Sequence, residues 1–116
     1  MIGFDLQEVA KLKNPKALLE KIALESEKAY IEKFKCDFDM RVASLFSAKE
    51  AVFKALDVRE GEISYKEIEI CHKENGRPFV RLHGKANARF EELKAEVIDI
   101  SISHQKTIVG AVVEIV

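Results

Sequence analysis

The sequence predicts an α+β fold in which a mainly antiparallel sheet packs against a long central helix and shorter helices. The predicted order is strand, helices, two strands, helix, two strands, and both consecutive strand pairs are joined by short hairpin turns. Hydrophobic residues make up 47% of the chain and charged residues 34%, which is the balance of a globular protein rather than a disordered one. For 116 residues, we expect a single domain over residues 1–116 with one modest core.

The N-terminal part predicts one strand followed by two short helices. Residues 2–9 carry apolar side chains at alternating positions and predict the first strand. Asn14 followed by Pro15 is a helix N-cap with a proline at the first helical position, which predicts a helix start there. Ser26 is predicted to begin a second helix, which ends near Phe34.

The longest predicted helix covers residues about 40–56, after a break at 35–39. Its apolar residues occupy more than one stripe, so we expect it to be buried on several sides. A loop is predicted at 57–62, before the first strand pair.

The C-terminal half predicts two hairpins separated by a helix. Asn75-Gly76 is the hairpin signal of the first pair. The predicted ranges are strands 65–73 and 79–83, a helix at 85–95, and strands 97–103 and 107–116, the last two joined by a tight hairpin at 104–106.

Composition excludes several classes of protein. The formal net charge of -1 gives no global basic field for nucleic acid. Cys36 and Cys71 have no metal-ligand spacing; we expect both to be reduced, with one disulfide as the alternative. No apolar run reaches the ~20 residues of a membrane helix, and the N-terminal residues do not resemble a signal peptide. We therefore expect a cytoplasmic protein.

Three charged residues stand in apolar surroundings. Glu50 and Lys54 are one helical turn apart and share a helix face; they are either a surface ion pair or part of a functional site. Asp5 lies within the first strand, where aspartate is unfavourable. Its carboxylate either hydrogen-bonds a loop or binds a hard divalent cation such as Mg²⁺.

Histidines and lysines supply the remaining candidates. His104 lies where a strand meets a turn, and it is either structural or functional; His72 and His83 form no paired spacing that predicts zinc. A local positive patch is either a solvated helix face or a dock for an acidic partner. Its members are Lys11, Lys13, Lys16 and Lys21.

Four motifs resemble those of the holo-acyl carrier protein synthases, the small phosphopantetheinyl transferases. Residues 2–9, IGFDLQEV, resemble the family opening I-G-x-D-I-x-x-I, and residues 46–56, FSAKEAVFKAL, resemble its F-A-A-K-E-A-x-x-K-A-L helix. Residues 75–86, NGRPFVRLHGKA, are similar to its G-x-P-x-x-x-L-x-G-x-A hairpin, and residues 101–114 are similar to its S-I-S-H-x-x-x-x-A-x-A-x-V end. The motifs occur in the family order and span nearly the whole chain.

The resemblance implies transfer of the phosphopantetheine arm of coenzyme A to a serine of apo-acyl carrier protein, with adenosine 3',5'-bisphosphate released. It further implies Mg²⁺, a homotrimer with intersubunit active sites, and a role in fatty acid biosynthesis. Asp5 and Glu50 match the family's metal-binding acids and are also predicted to be catalytic. Lys54 matches the catalytic lysine that contacts phosphate. Either a metal-bound water or Glu50 accepts the serine proton. On this basis we expect Glu50 and Lys54 to be buried against a metal and a diphosphate.

The resemblance also assigns coenzyme and partner contacts. His104, Arg77 and Pro78 match family positions near coenzyme A. Lys49, the charged residue of the helix motif beside Glu50, is also predicted to contact coenzyme A. The lysine patch corresponds to the basic first helix that docks the acidic carrier protein. Where the family usually has a phosphate-binding arginine this chain has Leu45, and Arg41, one turn earlier, is the predicted substitute.

A second departure and two alternatives remain. The family's glycine turn after the helix is replaced here by Asp57-Val58-Arg59. One alternative is a transferase for secondary-metabolite synthases, although those enzymes are generally about twice as long. The other is a non-catalytic coenzyme A or carrier-protein binding module, which would be expected to lack at least one of the charged site residues.

Overall fold

The computed structural model describes residues 1–59 and 61–116; Glu60, which belongs to the predicted loop 57–62, lies outside the described residues. The described elements follow the order strand, three helices, two strands, helix, two strands, which confirms the predicted α+β class. The helices are α1 (Pro15–Ile22), α2 (Glu25–Glu32), α3 (Phe38–Leu56) and α4 (Gly84–Glu92), and the strands are β1 (Ile2–Glu8), β2 (Ile68–His72), β3 (Pro78–Leu82), β4 (Ile98–Gln105) and β5 (Ile108–Ile115).

The strands form two antiparallel sheets in the described part of the chain. One has the order β1-β5-β4 and the other pairs β2 with β3. In the larger sheet Asp5 is opposite Ala111, and His104 is opposite Val109. One face of this sheet packs on α3, and that contact places the functional residues of β1 beside the helix.

Local sequence signals explain the starts of the first two helices differently. The Asn14 side chain accepts a hydrogen bond from the Ala17 backbone N–H (3.1 Å), which confirms the predicted N-cap of α1. The second helix begins at Glu25, one residue before the prediction, and Ser26 does not cap it. The Glu27 carboxylate instead accepts the Leu24 N–H (2.8 Å), so this acid satisfies one of the free donors at the helix start.

The central helix α3 is buried on several sides, as its sequence predicts. Ten of its residues are buried, from Val42 to Leu56. Gly3 allows β1 to approach the helix closely, because a Cβ atom at this position would collide with the backbone oxygen of Ala51. This close approach brings Asp5 against the helix, and the Ser47 hydroxyl donates to the Asp5 carbonyl oxygen (3.1 Å).

The C-terminal elements differ from the predicted ranges at their ends. Residues Tyr65–Glu67 form a 3-10 turn, so the strand predicted from residue 65 begins at Ile68. A capping box at Ser64, which pairs with Glu67, stabilises this turn against extension of the strand. The strand β4 continues through Gln105, which is opposite Ile108, so the hairpin turn is formed by residues 106–107 and overlaps the predicted 104–106 only at Lys106.

Two further features bear on the class of protein. Cys36 and Cys71 are both free. None of the helices formed by the described residues is sufficiently long and apolar to traverse a lipid bilayer.

Candidate active site

Two of the charged residues singled out by sequence, Glu50 and Lys54, line a crevice beside the C-terminal half of α3, and the third, Asp5, contacts Lys54. The Lys54 ammonium lies 3.2 Å from Asp5 Oδ1 and donates to the Phe4 carbonyl oxygen at 3.0 Å. Asp5 is only 7% exposed, and Gln7 Nε2 donates to its other carboxylate oxygen at 2.8 Å. Strand β1 and helix α3 therefore present an aspartate and a lysine to each other.

Glu50 lies one turn before Lys54 and enters the same crevice. The two side chains line an open cavity of about 540 Å³ together with Lys21, Phe53 and Tyr65. The Tyr65 hydroxyl donates to Glu50 Oε1 at 2.6 Å. Because Lys54 contacts Asp5 and lines the cavity with Glu50, it connects the two predicted metal-binding acids.

The expectation that Lys54 is buried is wrong, since its side chain is 52% exposed. Glu50 is only partly buried. The wholly buried charge of this helix is the neighbouring Lys49, which is 0% exposed. Because it is exposed, the Lys54 ammonium is accessible to a ligand in the crevice. A buried lysine would not be accessible in this way.

Lys49 belongs to the protein core. Its ammonium donates to Glu27 Oε1 (2.7 Å), the Ile22 carbonyl oxygen (2.7 Å) and the Tyr65 carbonyl oxygen (3.0 Å). Burial lowers the pKa of Lys49 below its ordinary value, and the Glu27 carboxylate opposes that shift. All three N–H groups are directed to protein oxygens, so the assignment of Lys49 to coenzyme binding is corrected: it is a structural residue.

A second cavity holds other residues predicted to contact coenzyme A. It has a volume of about 190 Å³ and is lined by Arg41, Pro78 and His104, among others. No lining residue is shared between this cavity and the crevice of Glu50 and Lys54. Within one chain, the predicted site residues that line these two cavities therefore form two separate groups.

Arg41 and Leu45 are neighbours in this second cavity. The Arg41 guanidinium lies 3.6 Å from the centre of the Phe34 ring, and its Nε donates to the Cys36 carbonyl oxygen at 3.3 Å. Leu45 is buried. Arg41, the predicted substitute for the family's phosphate-binding arginine, therefore lines the same cavity as Leu45, and its contact with phosphate stays a prediction. Arg77 does not line the cavity, and its guanidinium lies 3.5 Å from Asp99.

The turn after α3 retains a glycine-like backbone although the glycine is absent. Asp57 has φ 52° and ψ 54°, in the left-handed region that a glycine would occupy at this helix end. Aspartate is among the few side chains that tolerate this region. The sequence departure at Asp57 therefore changes the charge at the rim of the crevice but keeps the shape of the turn.

The four lysines of the predicted patch are all exposed, and they lie on or just before α1. Lys11 is 3.4 Å from Glu8, which reduces its positive charge toward a partner. Lys21 also lines the crevice of Glu50 and Lys54. The patch is therefore continuous with the candidate active site at its C-terminal end.

Sequence reasoning missed Gln7 and Tyr65, each of which hydrogen-bonds one of the predicted metal-binding acids. Neither belongs to a recognisable spacing with its acid: Tyr65 is separated from Glu50 by 15 positions. Only the packing of the 3-10 turn against α3 brings that tyrosine to the crevice.

The acids present are compatible with a magnesium site. Among the described residues there is no group of three or more histidine, cysteine, aspartate or glutamate side chains that could hold a metal. Mg²⁺, however, is commonly bound through one or two carboxylates, with substrate phosphates and waters completing its coordination. Asp5 already holds a cation, the Lys54 ammonium, at 3.2 Å. Asp5 and Glu50 are therefore a suitable donor set for a metal that arrives with a phosphate substrate.

Comparison with known proteins gives one consistent result. Residues 1–110 match the model of the 4'-phosphopantetheinyl transferase superfamily. The chain is 35% identical over 115 residues to a holo-[acyl-carrier-protein] synthase of Treponema denticola, covering 97% of this chain and 94% of the relative. It is 39% identical over 115 residues to one of Caldicellulosiruptor saccharolyticus, covering 95% and 90%.

A solved structure gives the same match in three dimensions. The fold is similar to the Helicobacter pylori holo-[acyl-carrier-protein] synthase in complex with coenzyme A, with a TM-score of 0.83 at 27% identity over 100% of both chains. This similarity confirms the fold predicted from the sequence motifs.

Proposed function

Because this chain belongs to the 4'-phosphopantetheinyl transferase superfamily, it is a phosphopantetheinyl transferase, and we propose that it acts on coenzyme A and apo-acyl carrier protein. The serine hydroxyl of the carrier protein attacks the phosphorus that bears the pantetheine arm. A new P–O bond forms, the pyrophosphate P–O bond breaks, and adenosine 3',5'-bisphosphate leaves with that electron pair. The observation that carries this proposal is the crevice lined by Glu50 and Lys54 of α3, in which Lys54 also contacts Asp5 of β1.

The residues of the crevice have complementary tasks. Phosphoryl transfer depends mainly on in-line positioning and on neutralising charge at the phosphate oxygens. The exposed Lys54 ammonium donates to those oxygens and stabilises charge on the leaving phosphate. Glu50 is the candidate acceptor of the serine proton, because it lines the same cavity.

We place Mg²⁺ at Asp5 and Glu50. When bound, the metal would neutralise negative charge on the pyrophosphate oxygens. Asp5 has a low exposure and a cation partner already, so a second cation at this carboxylate would require Lys54 to move toward the phosphate. This movement from Asp5 toward the phosphate would place the Lys54 ammonium beside the oxygens whose charge it stabilises.

The separation of the two cavities supports an active site shared between subunits. Arg41, Pro78 and His104 lie apart from the crevice within one chain, so a neighbouring copy would supply them to the coenzyme held by Glu50 and Lys54. The outward face of the β1-β5-β4 sheet would form this contact in a homotrimer, because a face so apolar is unusual on a monomer. Its exposed apolar residues are Ile2, Phe4, Leu6, Ile108 and Val112.

The exposed lysines of the patch are the proposed dock for the carrier protein. Acyl carrier proteins are acidic, and opposite charge raises the rate of encounter with a basic surface. Lys21 reaches both the patch and the crevice, so a carrier protein docked on α1 would present its serine to the site. We place this activity in fatty acid biosynthesis in the cytoplasm, in one domain over residues 1–116.

Intact mass of a purified apo-acyl carrier protein tests the proposal directly. The carrier protein is incubated with this enzyme, coenzyme A and Mg²⁺, beside one sample with EDTA and one with Glu50→Ala. We expect a mass gain of one phosphopantetheine that is lost in both controls. No gain with a folded enzyme and several carrier proteins would favour the non-catalytic binding module.

A further inference from the structure

Tyr65 lines the crevice of Glu50 and Lys54 and belongs to the 3-10 turn Tyr65–Glu67. Its ring packs edge-to-face on Phe53, with 5.1 Å between ring centres, and at 6.0 Å from the Phe46 ring. Its hydroxyl donates to Glu50 Oε1 at 2.6 Å. A bond this short between a hydroxyl and a carboxylate is of the charge-assisted kind, which is stronger than a neutral hydrogen bond.

The main chain of Tyr65 is fixed as firmly as its ring. The buried Lys49 ammonium donates to the Tyr65 carbonyl oxygen at 3.0 Å. At the start of the turn, the Ser64 N–H donates to the Glu67 carboxylate at 3.0 Å. Two adjacent residues of α3 therefore hold Tyr65: Lys49 donates to its carbonyl oxygen, and Glu50 accepts the hydrogen bond from its hydroxyl.

A glutamate on a helix surface has several rotamers, and a metal ligand must adopt one of them. A fixed hydrogen-bond donor to one carboxylate oxygen selects a rotamer and leaves the other oxygen for the metal. Hydrogen-bonded neighbours of metal-binding side chains commonly contribute a factor of about 10 to 100 in metal affinity or activity. Tyr65 has the position and the rigidity required for this role toward Glu50.

We propose that Tyr65 is a positioning residue that orients the Glu50 carboxylate for Mg²⁺. This inference rests on the proposed function, since Glu50 is there a metal ligand. Asp5 has a counterpart in Gln7, which lies on the same strand as its acid. Tyr65 instead comes from a separate element and is held by ring contacts and by Lys49.

Tyr65→Phe removes the hydroxyl and keeps the ring contacts with Phe46 and Phe53. The matched control is Ser26→Ala, which removes a hydroxyl that donates to the Glu69 carboxylate at 2.8 Å, outside both cavities. Binding of Mn²⁺ as a metal probe is measured by electron paramagnetic resonance in the presence of coenzyme A. The Mg²⁺ concentration for half-maximal transferase activity is measured in parallel, with thermal unfolding as the check on folding.

We expect Tyr65→Phe to weaken Mn²⁺ binding about tenfold and to raise the half-maximal Mg²⁺ concentration by a similar factor. Most of the maximal rate should return at saturating Mg²⁺, and Ser26→Ala should match the wild type in both assays. Equal Mn²⁺ binding by the wild type and Tyr65→Phe would overturn the inference alone. A wild type that transfers phosphopantetheine without binding Mn²⁺ would instead overturn the magnesium part of the proposed function, and this inference with it.

Discussion

Lys49 and Glu50 are neighbours on one helix, yet they belong to two different regions of the molecule. Lys49 faces the core, is 0% exposed and is surrounded by protein oxygens of α1, α2 and the 3-10 turn. Glu50 faces an open cavity with Lys54. A buried charge with all its hydrogen bonds made inside the protein serves the fold, whereas a charge beside an open cavity is available to a ligand.

The two regions are nevertheless coupled through Tyr65. The core lysine holds the Tyr65 carbonyl oxygen and the crevice glutamate receives its hydroxyl. The motif K-E in this helix therefore has two functions, one structural and one chemical, in consecutive residues. Substitutions at each of the two positions should separate those functions.

Glu50→Ala should have the largest effect, and it should fall on activity. Loss of one proposed metal ligand and proton acceptor is expected to lower transferase activity by about 10³-fold, as for other groups that act on the transition state. The free energy of unfolding should change by less than about 1 kcal/mol, because Glu50 is only partly buried. Carrier-protein mass and urea unfolding measure the two quantities; a strongly destabilised variant would show that Glu50 belongs to the core instead.

Lys49→Met should have the opposite signature. It leaves the buried Glu27 carboxylate without its cation, and breaking a buried ion pair in this way costs about 3 to 5 kcal/mol. Urea unfolding should show this loss, while Lys85→Met, at an exposed lysine, should change stability by less than about 0.5 kcal/mol. A Lys49→Met protein as stable as the wild type would mean that the ion pair contributes nothing to the fold.

The double variant Lys49→Met with Glu27→Leu sharpens the reason for that cost. If the uncompensated Glu27 charge is responsible, removing it should recover about 1 to 2 kcal/mol relative to Lys49→Met. Recovery should be incomplete, because Glu27 also accepts the backbone N–H groups of Leu24 and Ile70. Urea unfolding of both single variants and the double variant gives the coupling energy; a double variant less stable than either single variant would point to the lost hydrogen bonds instead.

The sequence predicted Asp5, Glu50 and Lys54 because their charges interrupt apolar patterns in two elements, and the resemblance supplied their roles. It could not predict which lysine of the helix motif is buried. Lys49 and Lys54 both stand among apolar neighbours in sequence, and the difference depends on where the Glu27 carboxylate lies in three dimensions. The strand predicted from residue 65 was too long, because the alternation of Ile68 and Ile70 stops at Lys66, and the Ser64–Glu67 capping box forms a 3-10 turn there instead.

Lys16→Glu should have the smallest effect and should act on encounter rather than on chemistry. Lys16 is exposed on α1, and a surface charge toward an acidic partner changes mainly the association rate. We expect the KM for the carrier protein to rise about 3- to 10-fold with kcat unchanged, and the difference from the wild type to shrink as salt screens the surface. Lys85→Glu makes the same charge change at an exposed position on α4 and should leave KM unaltered. Equal KM values for Lys16→Glu and the wild type at low salt would remove Lys16 from the docking surface.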